Sequence, residues 1–117
     1  MKIVAFGPGS GRHIEQYGSD FEMSRLVHVE GSDVSCMYLG PGGLIGHHPA
    51  STYQLFIVVN GEGWVESEDR QRVSITSGEA AFWAPGEHHG AGTESGMTVI
   101  VVEGNVLGGD PKGIGPN

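Results

Sequence analysis

Cysteine is nearly absent: Cys36 is the single thiol in 117 residues, which excludes an internal disulfide and gives no hint of secretion. Positive charge is scarce as well. Six Lys and Arg stand against 14 Asp and Glu, a formal net of −8. A surface of that sign repels phosphate backbones and anionic headgroups, so neither a nucleic-acid partner nor a membrane partner is expected. No apolar run approaches the roughly 20 residues of a membrane span. The opening stretch, MKIVAFGPGSGR, has a short apolar run ended by glycine and proline, which is not the pattern of a signal peptide. The expectation is a soluble cytoplasmic protein. Also missing is any sustained amphipathic helix pattern.

Glycine, by contrast, is abundant at 21 residues and follows no collagen-like period, which points to many tight turns between short strands. The length suits one domain with one core. Residues 7–22 read as an irregular leading segment. Gly7, Gly9 and Gly11 imitate a dinucleotide-binding loop, but no helix pattern follows them and the signal is discounted. Strands are expected at 23–29 and 34–39, with a turn at Gly31-Ser32-Asp33. Residues 53–59 and 62–66 flank Asn60-Gly61, which reads as a hairpin turn because both positions tolerate positive φ. Further strands are expected at 72–76, 79–83 and 97–103, with Pro85-Gly86 at the centre of a type II turn. A Gly/Pro-rich tail, 104–117, closes the chain. Frequent short strands with Gly-rich turns argue for an all-β sandwich or barrel.

Two adjacent histidine pairs stand out, His47-His48 and His88-His89. Neighbours on a strand face opposite ways, so each pair can send only one imidazole into a common site. Regular alternation groups Leu44, Gly46, His48 and Ala50 on one face, and Gln54, Phe56 and Val58 on one face of the next strand. His89 shares a face with Glu87, while His47 and His88 point outward or to a rim. Trp64, Trp83, Phe56 and Phe82 are core candidates, with Phe56 an alternative pocket wall beside Gln54. His28 reads as a packed or edge histidine, His13 as exposed, and Cys36 as a buried inert thiol. No Ser-His-Asp or Cys-His arrangement has spacing support.

The spacing across residues 34–103 resembles the cupin superfamily. Its first motif places a glycine five residues before a His-x-His, then a glutamate, then a glycine after six more residues. Here Gly42, His48, Gln54 and Gly61 fall at those places, with Ala50 where the second histidine stands and Gln54 where the glutamate stands. The second motif is met by Gly78, Gly86 and His89, with Ala84 at its proline position and Thr93 at its asparagine position. The resemblance implies a small cupin-type β-barrel, or jelly roll, over about 23–103. It implies a divalent metal site (Zn, Ni, Fe or Mn), here reduced to His48, Gln54 and His89. Ala50 cannot ligate, and the amide of Gln54 is a neutral and weaker donor than a carboxylate. Glu87, Glu94, Tyr38 and His28 are candidates to complete the shell or to act as a general base. A metal-free polar pocket is the competing reading of the same three residues. Three functions stay open at this point: a metal-dependent enzyme on a sugar derivative or oxygen-rich acid, a non-catalytic small-molecule binding or sensor module, and a structural dimerisation unit. A homodimer is expected.

Overall fold

The structure, a computed structural model, describes residues 1–104, so all but the first residue of the Gly/Pro-rich tail lies outside the described residues. Nine strands follow one another: β1 (Arg12–Ile14), β2 (Phe21–Val29), β3 (Ser32–Leu39), β4 (Leu44–Pro49), β5 (Gln54–Glu66), β6 (Arg72–Thr76), β7 (Ala80–Trp83), β8 (His88–Gly92) and β9 (Met97–Gly104). The one helical piece among the described residues is a 3-10 turn, Gln16–Gly18. Described residues include no helix long and apolar enough to cross a membrane. The all-β expectation holds.

The strands form two antiparallel sheets that share β5. The larger runs β1-β2-β3-β9-β5-β7 and the smaller β4-β8-β5-β6. Asn60-Gly61 is therefore not a hairpin turn. β5 runs straight through it: Gln54–Gly61 pairs with β9, and Glu62–Glu66 pairs with β6. A register shift between Val58 and Asn60, followed by Gly61 at φ +84°, bends the strand from one sheet into the other. The same positive-φ tolerance that suggests a turn here makes a corner, because the residues on either side find different partners. On the far side the barrel is drawn together by a bridge between the two sheets. Asp20 N–H donates to the Leu44 carbonyl at 2.6 Å and Leu44 N–H to the Asp20 carbonyl at 3.0 Å.

Two other expectations shift. The turn between β2 and β3 is Glu30-Gly31, with Val29 and Ser32 as the closing pair, so Ser32 and Asp33 belong to the strand. The leading segment is not irregular throughout: β1 pairs with Phe21–Met23 and the 3-10 turn packs on β4. Its approach is fixed by Glu22, whose carboxylate accepts Gly9 N–H at 2.7 Å and Gly11 N–H at 2.9 Å.

The core lies between the sheets. Leu39, Phe56, Val58, Met97, Val99 and Val101 are its most deeply buried side chains. Each such burial is worth about 1.5–3 kcal/mol relative to exposure. Trp83 joins this core, but Trp64 and Phe82 do not. Both are half-buried, and Trp64 carries the Arg72 guanidinium 3.7 Å above its ring. Cys36 is buried, and burial pushes its thiol pKa up, as suits an inert thiol.

The corner yields a direct prediction. A Cβ on Gly61 would come within 2.3 Å of the Gly96 carbonyl oxygen, at a φ that side chains avoid. Gly61→Ala is expected to lower unfolding stability by about 2 kcal/mol or more. Gly40→Ala, with open space around its Cβ, should stay within about 0.5 kcal/mol. Urea denaturation of both variants checks this.

Candidate functional site

β4 and β8 pair with unequal lengths. Ile45 faces Ala91 and His48 faces His89, so Gly46 and His47 together stand opposite Gly90 alone. This one-residue bulge corrects the alternation expected for β4. Ile45, not Leu44 or Gly46, shares the inner face with His48. The bulge falls before His48, so it exchanges the earlier residues and leaves His48 facing in. Gly46 has a local reason to be glycine, since a Cβ there would sit 1.6 Å from the Tyr17 carbonyl oxygen. Its N–H donates to Ser19 Oγ at 2.9 Å. The 3-10 turn thus lies directly on the bulge.

His48 and His89 meet, with ring centroids 4.5 Å apart. Each is flanked by a second ring. Tyr17 stacks on His48 at 4.7 Å, and Trp83 stacks on His89 at 4.2 Å, with Phe56 edge-on to Trp83 at 5.6 Å. The tautomers follow from the partners. His48 Nδ1 lies 2.7 Å from the Gly46 carbonyl and His89 Nδ1 lies 3.3 Å from the Glu87 carbonyl. A carbonyl only accepts, so each Nδ1 carries a proton, and in the neutral ring the lone pair is on Nε2. His89 is 2% exposed. Burial, followed by the proximity of His48, lowers its pKa from 6.5 to about 4, so it is neutral at pH 7.

The other member of each pair points away, though not as a simple rim residue. His47 Nδ1 lies 2.7 Å from Glu66 Oε1, and both side chains are nearly buried. Glu66 also takes Arg72 Nε at 3.4 Å. His88 is the exposed one, stacked on His47 at 5.8 Å and beside Glu68.

Gln54 faces the same cavity as His48 and His89. Its Nε2 donates to Glu103 Oε2 at 2.9 Å, across the β5–β9 pair that sets the two residues opposite each other. Glu103 is a site residue that the motif spacing does not reveal. Period-two alternation along β9 does: Met97, Val99 and Val101 are buried on the inner face, and Glu103 is the next residue on it. None of the four residues considered as a further ligand or base lines this cavity. His28 is exposed and bound to Asp33 at 2.6 Å. Glu87 accepts Ala84 N–H at 3.1 Å, while Glu94 and Tyr38 border other surface grooves.

The cavity holds about 200 Å³. Its polar groups are His48, Gln54, His89 and Glu103, and its apolar lining includes Phe21, Met23, Met37 and Phe56. Arg12, Gln16 and Tyr17 form an exposed rim. As a resident metal site the donor set does not fit. Ala50 is buried among core residues, and no group of three or more His, Cys, Asp or Glu among the described residues is placed to hold an ion. Two neutral nitrogens and an amide oxygen bring no charge to offset a divalent cation.

The lowered pKa of His89 has a thermodynamic consequence. The unfolded chain binds this proton near pH 6.5 and the folded chain only near 4. The contribution of His89 to stability is therefore full above pH 6.5 and is lost as pH falls from 6.5 toward 4, by about 3 kcal/mol at most. His89→Asn should flatten that part of the stability profile relative to the unchanged chain. Chemical denaturation at half-unit pH steps measures the difference.

The profile of the AraC-like ligand binding domain family matches residues 40–106. No curated protein sequence matches the chain. Among solved structures, a cupin-like protein from Thermotoga maritima aligns with a TM-score of 0.76 at 19% identity, covering 92% of this chain and 86% of that one. A predicted oxalate decarboxylase from Thermotoga maritima aligns at 0.73 and 22% identity, covering 86% and 96%. KdgF from Halomonas sp. aligns at 0.69 and 21% identity, covering 81% and 86%. At these identities the structures establish a shared fold. With two motifs in order, the matching profile and the shared barrel, the chain belongs to the AraC-like ligand binding domain family and is a cupin-type protein.

Proposed function

We propose that this chain is a binding module that takes a small organic molecule into the barrel cavity. The observation that carries the reading is a cavity lined by four polar side chains and a broad apolar surface. That is the usual construction of a small-molecule site, in which a few polar groups orient the ligand and apolar area holds it. The family description, a ligand binding domain, supports it. The ring series Tyr17–His48–His89–Trp83, stacked at both ends and tilted between the histidines, supports it further, because packed rings hold their polar edges in a fixed direction before any ligand arrives.

A second reading is favoured by one observation, the Nδ1 protons of His48 and His89 tied to backbone carbonyls. That arrangement is common in metal-ligating histidines, whose Nε2 is left free. In this reading a divalent ion is held weakly by His48, Gln54 and His89 and exchanges readily, and the chain would be a metal-dependent enzyme.

Ligand-observed NMR against a library of small organic molecules, run with and without added Zn²⁺, separates the two. Metal-independent hits are expected, lost in His48→Ala and His89→Ala and kept in His88→Ala. Hits that require Zn²⁺ would favour the second reading, and hits indifferent to His48 and His89 would remove the cavity from the account.

A further inference from the structure

The polar face of the cavity is built almost wholly of hydrogen-bond acceptors. His48 and His89 each spend Nδ1–H on a backbone carbonyl, so in the neutral imidazole Nε2 is the acceptor. Gln54 is oriented by chemistry and not by chance. Glu103 can only accept, so the amide nitrogen must face it, and Gln54 Oε1 is left free as a third acceptor. The Glu103 carboxylate is the fourth and brings the single formal charge on that face. Arg12 is the one cationic side chain among the lining residues, and it sits exposed on the rim.

Such a face discriminates among ligand classes. A carboxylate or phosphate would meet four lone-pair donors and a like charge, with no buried cation to offset them. A free polyol would satisfy some hydroxyls on this face. Its others would meet Phe21, Met23, Met37 and Ile45 with nothing to bond, and each buried polar group left unpaired weakens binding. A primary ammonium avoids both costs. It offers three donors and a positive charge to the acceptors, and an apolar body to the apolar lining. The volume, about 200 Å³, lies below the roughly 300–1,000 Å³ of pockets for drug-sized ligands, so the body is small.

Building on the small-molecule reading above, we infer that the cavity takes a small amphiphilic primary amine, with its ammonium group held by Glu103, Gln54 and the two histidines. Glu103 sets the charge preference directly and fixes the Gln54 amide.

Titration calorimetry on the full chain at pH 7 tests this with four probes: 2-phenylethylamine, 2-phenylethanol, phenylacetate and glucose. The amine is expected to bind at least tenfold more tightly than the alcohol, and phenylacetate and glucose more weakly still. The ranking on the unchanged chain decides the matter without reliance on any variant. Glu103→Gln is then expected to bring the amine-to-alcohol ratio close to one, a ratio that a uniformly destabilised variant would not change. If phenylacetate or glucose matches or exceeds the amine, the amine inference falls while the small-molecule reading stands. The same holds if library molecules bind through His48 and His89 but the amine does not. If neither the probes nor any library molecule binds, both fall together.

Discussion

Between Ile45 and His48, β4 carries one residue more than β8 opposite it, and the arrangement of the cavity's polar end depends on how that excess is absorbed. The extra residue leaves the Gly46 carbonyl free to accept the His48 Nδ1 proton and lets the 3-10 turn pack where a side chain would otherwise stand. His48 is thereby set directly opposite His89, and Tyr17 is set against His48. A regular pleat would place Leu44 and Gly46 on the inner face in place of Ile45. The bulge thus supplies an apolar wall residue and an oriented imidazole from the same short strand.

Burial and the nearness of His48, 4.5 Å away, keep His89 neutral at pH 7. With Nδ1 spent on a carbonyl, what each ring offers the site is its Nε2, and the site's charge comes from elsewhere. Glu103 supplies it from the far end of β9, at the point where the apolar inner face of that strand ends. Glu66 does for His47 what the backbone carbonyls do for its neighbour, holding the ring by Nδ1 on the opposite face of the sheet. Adjacent histidines in one sequence thus serve two separate networks, one lining a cavity and one bracing β4 against β5.

Much of this is legible in the sequence, and what is not has physical causes. The convergence of His48 and His89 follows from motif spacing, and their inward direction from alternation. Most of the strand series follows from β-branched and aromatic residues between glycines, but β8, HHGAG, has neither and enters only through its histidines. Asn60-Gly61 misleads because positive φ permits a corner as well as a turn, and only partners distant in sequence decide which forms. The bulge at Gly46 is invisible to a strict period of two, since nothing in the four residues Ile45 to His48 shows that β8 offers one fewer. The 3-10 turn over the cavity is hidden in a glycine-rich stretch, and its seat is the bulge at Gly46, remote from it in sequence. Glu103 was within reach: continuing the alternation of Met97, Val99 and Val101 by one step brings it inside.

The central claim is that the cavity presents two imidazoles whose Nδ1 protons are held by backbone carbonyls and whose Nε2 atoms are left to receive a ligand. Long-range ¹H–¹⁵N correlation NMR of the histidine rings in ¹⁵N-labelled protein at pH 7 tests it most directly. The account predicts a protonated, pyrrole-type Nδ1 at both His48 and His89, an unprotonated, pyridine-type Nε2 at His89, and a shift of both Nε2 signals when the cavity is filled. An Nδ1 without its proton at either residue, or an imidazolium at His89, would contradict it.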